Sequence, residues 1–314
     1  MVNHAVTAAR LVALDWGSTR LRAWLLGHGG TILAERQNGD GASVITGGAP
    51  AFEKALVTLA GDWLEMGVPV LACGMVGSTH GWREAAYVAC PARLDRLHEH
   101  LVEVHTAAAL HLHIVPGLID ETGDTPDVMR GEETQVAGLV HALPALADGA
   151  CVLMPGTHAK WVQLRHGAVE SFRTRMTGEV YSLLRSHSVL ARLMPRADIG
   201  WNAEAFEAGV QAARRADGAD LLGQLFSVRT LGLTQRWPAD ALADHLSGLL
   251  IGHELVAGLR TAHGPLALVG ESALCARYVH ALKMLGAALE AGVHGNTAIA
   301  GLWQLATQAG WVAR

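Results

Sequence analysis

Two segments of the chain share one hydrophobic pattern and lie about half a chain apart. In residues 11–26 an apolar run ends at a polar turn, and a second apolar run leaves that turn. Residues 150–164 repeat this order around a turn that contains Gly156 and Thr157. Short apolar runs bounded by Gly-containing turns are typical of strands. Each segment continues into another hairpin, so the pattern predicts two three-strand antiparallel units and a duplicated domain.

The spacing of apolar positions predicts further elements around these units. Phe52, Leu56, Leu59 and Trp63 fall on one helix face, which predicts a helix over residues 52–66. Apolar runs predict buried strands at residues 70–73, 112–116 and 265–269. Helical spacing continues at residues 94–110, from Asp127 onwards, at residues 180–193, through most of residues 201–260, at residues 274–285 and after Asn296.

The two turns carry groups that suit phosphate. Gly17 lets backbone N–H groups approach a ligand, and Ser18 and Thr19 add hydroxyl donors. Asp15 repels bare phosphate, so it fits here mainly as a holder of Mg²⁺ or of its water shell. An ordinary hairpin with a polar turn explains either copy alone. The repetition favours two phosphate loops for one nucleoside triphosphate, the second formed by Gly156, Thr157, His158 and Lys160.

The loop after the predicted strand at residues 70–73 combines several kinds of polar side chain with an indole. Ligands of open α/β sheets bind at the carboxyl ends of strands, where this loop lies. A flat apolar surface with several hydrogen-bonding groups suits a polyhydroxylated ligand. A solvated loop with a half-buried Trp is the alternative. The candidate ligand residues are Gly74, Met75, Ser78, Trp82, Arg83, Glu84 and Tyr87.

Two further helix starts are candidate functional sites. Glu132 and Glu133 lie in the first turn of a predicted helix, where the helix dipole favours carboxylates even without a function. Their position between the two repeated units also allows one of them to act as a general base. Gly270, Glu271 and Ser272 join a predicted strand to a helix, an arrangement common in nucleotide sites.

Composition restricts the class of protein. The 314 residues are 50% hydrophobic and 17% charged, as in a compact globular chain. A net charge of −5 without a basic block argues against nucleic acid as the main partner. No apolar run reaches the ~20 residues of a membrane span, and a signal peptide is not expected. The scattered cysteines predict a reducing cytoplasm; they are Cys73, Cys90, Cys151 and Cys275.

With these motifs in order, the chain resembles the actin/hexokinase/Hsp70-type ATPase superfamily. Residues 15–19 resemble its first phosphate motif, residues 155–157 its second, and residues 269–273 its adenosine motif. More closely, the chain resembles the 2-dehydro-3-deoxygalactonokinase family. That resemblance rests on residues 14–19, on 74–78 with Gly81 and Trp82, on 130–135, on 155–161 and on 246–252.

The resemblance implies an α/β fold of two ribonuclease H-like, actin-like ATPase domains, each with a mixed sheet, around a central cleft. It implies residues 1–134 for the first phosphate loop and sugar-acid site, and residues 135–314 for the second phosphate loop and adenosine site. The implied reaction is ATP- and Mg²⁺-dependent phosphorylation of 2-dehydro-3-deoxy-D-galactonate at its 6-hydroxyl, in galactonate catabolism. Asp15 would hold the metal, Glu132 or Glu133 would be the base, and a homodimer is allowed.

The chain also departs from the superfamily pattern. His158 and Lys160 stand where acidic residues or glycines are usual, and Glu271 stands where many relatives have Gly. Three alternatives therefore stay open. The protein could phosphorylate the gluco epimer or another sugar, it could be a phosphohydrolase of the same fold, or it could be a non-catalytic sugar sensor.

Overall fold

The computed structural model describes residues 9–107, 110–196 and 200–313, and the chain forms two compact units. Unit 1 comprises Met1–Gly149, Leu164–Phe172 and Asn296–Arg314, and unit 2 comprises Ala150–Gln163 and Arg173–Gly295. The expected boundary after residue 134 falls inside a helix of unit 1, and the C-terminal residues return to unit 1.

The main sheet of unit 1 has six strands in the order β3-β2-β1-β4-β8-β7. Strand β1 pairs antiparallel with β2 and parallel with β4, and β4 pairs parallel with β8. The predicted three-strand meander and the buried parallel strand are therefore confirmed. The strands of the sheet are β1 (Leu11–Trp16), β2 (Leu21–Leu26), β3 (Ile32–Asn38), β4 (Val70–Gly74), β7 (Val102–Val104) and β8 (Leu112–Ile114).

A second, small sheet of unit 1 has the order β10-β9-β5. Its strands are β5 (Val88–Ala89), β9 (Leu118–Asp120) and β10 (Asp127–Met129), and β6 (Ala92–Arg93) pairs with residues 168–169. The helices of unit 1 are α1 (Ala49–Leu64), α2 (Glu132–Ala142) and, close to the C-terminus, α8 (Ala298–Gln308). Helices α2 and α8 cross closely because Gly138 and Gly301 lie at their contact: a Cβ atom on Gly301 would lie 1.9 Å from the carbonyl oxygen of Thr134.

The sheet associated with unit 2 repeats the meander in β11 (Ala150–Met154), β12 (Ala159–Arg165) and β13 (Ala168–Arg175), which are neighbours in that order. Strand β14 (Leu266–Val269) runs parallel to β11 and to β15 (Val293–His294). Five helices in the described part of unit 2 complete it: α3 (Thr177–His187), α4 (Ala203–Arg215), α5 (Leu221–Leu233), α6 (Leu242–Leu259) and α7 (Ser272–Met284). The predicted duplication of the meander is confirmed.

Three predicted helices are wrong in part. The helix expected at residues 180–193 ends at His187, and a separate 3-10 helix covers Ala191–Leu193. Residues 94–110 do not form one helix: a 3-10 helix covers Leu94–His100, and β7 follows. Val102 and Val104 are β-branched and alternate with Glu103, and pairing with β8 favours the strand. Residues 108 and 109 lie outside the described residues. The helix expected from Asp127 starts only at Glu132, because residues 127–129 pair with β9.

The predicted fold class, α/β with mixed sheets in two units, is confirmed. No helix in the described residues combines the length and the apolar character needed to cross a membrane.

Candidate functional site

The first phosphate turn joins β1 to β2 and is stabilised by backbone hydrogen bonds. The Gly17 N–H donates to the Arg20 carbonyl at 3.0 Å, and the Ser43 N–H donates to the Ser18 carbonyl at 3.0 Å. Gly41 lies so close that a Cβ atom there would be 2.3 Å from the Ser18 carbonyl oxygen. The side chains of Ser18 and Thr19 are exposed, so both hydroxyls are accessible to a ligand.

Asp15, the predicted metal ligand, lies at the end of β1 beside this turn. One of its oxygens, Oδ2, pairs with the guanidinium of Arg22 on β2 and lies 3.5 Å from the Asn296 side-chain amide. Its Oδ1 has no hydrogen-bond partner among the described residues. Mg²⁺ in phosphate-transfer sites is commonly held by one or two carboxylates together with phosphate and water. A single carboxylate beside a phosphate turn fits that pattern, although the described residues contain no cluster of three or more His, Cys, Asp or Glu side chains that could hold a metal alone.

The predicted base helix, α2, begins beside the same turn. Gly131 adopts a φ of +106°, and a Cβ atom there would lie 3.3 Å from the Gly74 Cα atom at the end of β4. Gly74 is opposite Trp16 in the β1–β4 register. The carboxyl ends of β1 and β4 therefore bring the first phosphate turn and the start of α2 together.

The two glutamates of α2 have different environments. Glu133 is fully buried, and its carboxylate accepts hydrogen bonds from the Gly131 N–H at 2.6 Å and from the Thr134 hydroxyl at 2.8 Å. Burial, and then the nearby charge of Glu132, raise the pKa of Glu133 to about 7. Glu132 is only half-buried, and its Oε2 accepts from the Arg130 N–H at 3.1 Å. Of these two residues, only Glu132 has surface exposed to solvent.

The predicted sugar loop divides into a buried part and an exposed part. Trp82 packs in the core of unit 1, stacked on Phe52 with ring centroids 6.1 Å apart and edge-on to Trp16 at 5.9 Å. Its indole is therefore covered by protein. Arg83 is exposed, and Glu84 accepts a hydrogen bond from the Thr79 hydroxyl at 3.0 Å. Gly74, Met75 and Ser78 lie at the carboxyl end of β4 and in the 3-10 turn that follows it.

Arg130 also lies in this region, although it is not among the ligand contacts that the sequence predicts. Its guanidinium lies over the ring of Tyr87 at 4.4 Å, and its Nη2 donates to the Ala85 carbonyl at 2.8 Å. The signal available in the sequence was a cation immediately before the Gly131–Glu133 motif.

The second phosphate turn, in unit 2, packs against the start of α3. The Glu179 N–H donates to the Thr157 carbonyl at 2.9 Å, and the imidazole of His158 pairs with the Glu179 carboxylate. A Cβ atom on Gly178 would lie 2.3 Å from the Gly156 carbonyl oxygen, so the turn and the helix are in direct contact. Lys160 is buried, and its ammonium donates to the Thr174 hydroxyl at 2.7 Å.

The predicted adenosine turn lies beside the second phosphate turn. A Cβ atom on Gly270 would be 3.4 Å from the Pro155 carbonyl oxygen. The Glu271 carboxylate caps α7 by accepting from the N–H groups of Ala273 at 3.1 Å and Leu274 at 3.0 Å, and these bonds lower its pKa. Its carboxylate thus already serves the helix terminus.

A cavity of about 260 Å³ lies within unit 2. Gly156 of the second phosphate turn lines it, together with residues from α3, α6 and α7 that the sequence did not indicate. Those residues are Thr177, Gly178, Tyr181, Ser247, Leu250, Ile251, Leu274, Arg277 and Tyr278.

Buried acidic residues hold two side chains of this cavity in place. Asp244 pairs with Arg277 at 2.7 Å and accepts from the Asn202 N–H at 2.8 Å. Glu254 accepts from the Tyr278 hydroxyl at 2.7 Å and from the Trp161 indole at 3.0 Å, and burial raises its pKa. The cavity wall is therefore fixed by charge-assisted hydrogen bonds.

Comparison with known proteins agrees with this arrangement. The family model described as 2-keto-3-deoxy-galactonokinase matches residues 15–305. A protein of Escherichia coli (strain K12) named 2-dehydro-3-deoxygalactonokinase is 41% identical over 293 residues, which cover 92% of this chain and 94% of that protein.

Solved structures show the same relationship. A crystal structure from Sinorhizobium meliloti, titled as a protein of this kinase type, is 33% identical with a TM-score of 0.82, and the match covers 94% of this chain and 98% of that one. Component A of (R)-2-hydroxyglutaryl-CoA dehydratase from Acidaminococcus fermentans has a TM-score of 0.51 at 13% identity, covering 95% and 98% of the two chains, and shares the fold alone. From the family match over nearly its whole length, the chain belongs to the 2-keto-3-deoxy-galactonokinase family.

Proposed function

We propose that the protein transfers the γ-phosphoryl group of ATP to the 6-hydroxyl of 2-dehydro-3-deoxy-D-galactonate. The observation that carries this proposal is the junction at the ends of β1 and β4. There the register places Trp16 opposite Gly74, and Gly131 of the base helix approaches Gly74. The predicted phosphate turn and the helix start that carries the partly exposed Glu132 thus lie at one edge of the sheet, which supports a phosphoryl transfer to an alcohol.

Nucleotide-binding groups are assigned within each unit by itself. In unit 1, Gly17, Ser18 and Thr19 offer backbone and hydroxyl donors for phosphate. In unit 2, the second phosphate turn supplies Gly156, Thr157, His158 and Lys160, and the cavity lined by Arg277 receives the adenosine part. Gly270, Glu271 and Ser272 form the neighbouring turn, where Glu271 fixes the start of α7.

Asp15 would hold Mg²⁺ directly or through water. When bound, that ion supplies charge neutralisation for the phosphates. The pairing of Asp15 Oδ2 with Arg22 orients the carboxylate and leaves Oδ1 for this role.

Glu132 is the group we assign as general base. A primary hydroxyl is a poor nucleophile, and a carboxylate within hydrogen-bond reach can accept its proton as the new bond forms. Glu133 is fully buried and already bonded to Gly131 and Thr134, so it cannot contact substrate in this arrangement. We assign Glu133 to holding the start of α2 in position.

The sugar acid is assigned to the loop of unit 1 that follows β4. Ser78, Arg83, Glu84 and Tyr87 offer hydroxyl, cationic and carboxylate groups, and Gly74 and Met75 contribute backbone at the end of the strand. Trp82 supports the loop from the core.

We further propose a cytoplasmic location, in keeping with four free cysteines, and a homodimer, which size-exclusion chromatography would detect.

The proposal is tested by product analysis with ATP, Mg²⁺ and each C4 epimer of the 2-keto-3-deoxy acid. We expect a C6 phosphomonoester by ³¹P NMR, higher kcat/KM for the galacto epimer, and loss of turnover with EDTA that added Mg²⁺ restores. Asp15→Asn should lose turnover while keeping the fold.

Release of free phosphate without a sugar phosphate would favour the phosphohydrolase, and binding without turnover would favour the sensor. Preference for the gluco epimer would reassign the substrate. Wild-type activity of Asp15→Asn with an unchanged Mg²⁺ requirement would remove the metal assignment.

A further inference from the structure

Two nitrogen atoms of the Arg130 guanidinium are buried without a hydrogen-bond partner in the part of the chain that the structure describes. These atoms are Nε and Nη1. Nη1 carries two N–H bonds and Nε one, so at least three of the five N–H bonds of this side chain lack an acceptor. Within the described ranges, the guanidinium makes one hydrogen bond, from Nη2 to the Ala85 carbonyl oxygen at 2.8 Å.

Arg130 also lacks an ion-pair partner among the residues that the structure describes. No carboxylate among the described residues forms an ion pair with it: Glu132 bonds to the Arg130 backbone N–H, and Glu84 accepts from Thr79. An arginine that is partly removed from water without an anion is costly, because its charge loses hydration and gains no counter-charge. Such a residue is stabilised when an anionic ligand arrives.

Other contacts hold the guanidinium in place. The Tyr87 ring lies 4.4 Å from it, and this ring in turn packs on Gly117, where a Cβ atom would be 2.7 Å from the ring. The guanidinium also approaches Gly77 closely, because Gly77 has no side chain: a Cβ atom there would lie 3.0 Å from Nη1. Arg130, two residues before Glu132, is thus held by residues 77, 85 and 87, and the Tyr87 ring that stacks on it is 40% exposed.

We propose that Arg130 binds the C1 carboxylate of the sugar acid and makes the enzyme selective for acids over neutral sugars, with Tyr87 moving aside to admit the ligand. This inference rests on the proposed function. The guanidinium is planar and always charged, and it matches a carboxylate better than an ammonium does. The bound carboxylate accepts hydrogen bonds from the Nε and Nη1 donors of Arg130 and neutralises the charge of the guanidinium.

The test compares two substrates that differ only at C1. One is 2-dehydro-3-deoxy-D-galactonate, and the other is the matching 3-deoxy-2-hexulose, in which a hydroxymethyl group replaces the carboxylate. For Arg130→Ala we expect kcat/KM for the acid to fall about 10²-fold or more, as when one partner of a buried charge pair is removed. The value for the neutral sugar should change less than about 3-fold, so the preference for the acid disappears.

Two further variants complete the experiment. Arg130→Lys keeps the charge without the planar fork and should retain part of the preference, which keeps the test usable if Arg130→Ala does not fold. Added guanidinium ion should partly restore acid turnover by Arg130→Ala. Arg93→Ala, at an exposed arginine paired with Asp95, is the control and should keep the wild-type preference.

Equal losses on both substrates in Arg130→Ala and Arg130→Lys would overturn the inference, because a purely structural role lowers both values together. Selective loss of acid turnover in Arg83→Ala, with Arg130 variants retaining it, would also overturn it. Failure of the proposed function looks different: the wild-type protein would phosphorylate neither substrate.

Discussion

At the scale of single residues, Glu132 and Glu133 show how neighbours on a helix acquire different roles. Adjacent helical residues point ~100° apart, so only one can face a given ligand. The sequence predicted this inequality without deciding which residue is which. Burial separates them: Glu133 has no exposed surface, whereas Glu132 is partly accessible.

Replacing each glutamate singly with Gln should therefore give unequal kinetics. Glu132→Gln should lose about 10²-fold or more in kcat with sugar-acid binding retained, because it removes the proton acceptor. Glu133→Gln should lose much less. Steady-state kinetics and sugar-acid binding by calorimetry measure both effects. If neither variant loses kcat, the base lies elsewhere, and Asp15 and Asp127 are the next residues to replace.

The buried carboxyl of Glu133 also predicts a pH dependence of stability. Its pKa is raised from 4.5 to about 7 on folding, so the folded protein binds a proton that the unfolded chain releases. This contribution is complete below pH 4.5 and is lost as the pH rises through 7, by about 3 kcal/mol in all. We expect the free energy of unfolding to fall less between pH 5 and pH 8 in Glu133→Gln than in the wild type. Urea unfolding at both pH values measures the difference, and parallel curves would contradict the raised pKa.

At the scale of elements, the 74–87 loop is joined to the sheet by Trp82. The sequence predicted that this indole forms a surface for the sugar, but the indole stacks on Phe52 of α1 and contacts Trp16 of β1. Trp82→Ala should lower the free energy of unfolding by about 3–5 kcal/mol through loss of buried contacts and a cavity. Phe226→Ala, at an exposed ring, is the control. Unchanged unfolding together with a raised sugar-acid KM would instead restore the predicted ligand contact.

The crossing of α2 and α8 predicts a steric effect in the base helix. A Cβ atom on Gly301 would lie 1.9 Å from the Thr134 carbonyl oxygen, so Gly301→Ala must push the helices apart. We expect a lower melting temperature and reduced kcat, because α2 carries Glu132. Gly61→Ala in α1 is the matched control, since the added methyl would lie 3.5 Å from Val57, an ordinary contact. Equal melting temperatures for the two variants would show that the crossing adapts.

At the scale of the whole molecule, the two units should contribute separable kinetic effects. Arg277 lines the cavity of unit 2 and is fixed by Asp244. Arg277→Ala should raise the KM for ATP about 10-fold and leave the sugar-acid KM little changed. The substitution removes a contact that binds ATP equally well in the ground state and in the transition state. Arg260→Ala, at an exposed arginine paired with Asp217, is the control. A rise in the sugar-acid KM alone would reverse the assignment of the units.

Much of the fold could be predicted because its signals are local. Short apolar runs and Gly-containing turns identified both meanders, and helical spacing identified α1 and most helices of unit 2. These patterns depend on backbone geometry within a few residues. Residues 102–104 were misassigned because a short apolar stretch suits either element, and pairing with β8 decided it.

The sequence by itself determined the two repeated Gly-containing turns, the acidic start of α2 and the family of the chain, since each rests on residue type and order. Only the tertiary structure decided which groups are buried. It covered Trp82, enclosed Glu133 and bound the ammonium of Lys160 to Thr174. It also left two buried nitrogen atoms of Arg130 without a hydrogen-bond partner among the described residues, and it formed the cavity that Arg277 lines. Burial and pairing depend on residues far apart in the chain, and no local pattern specifies which of them meet.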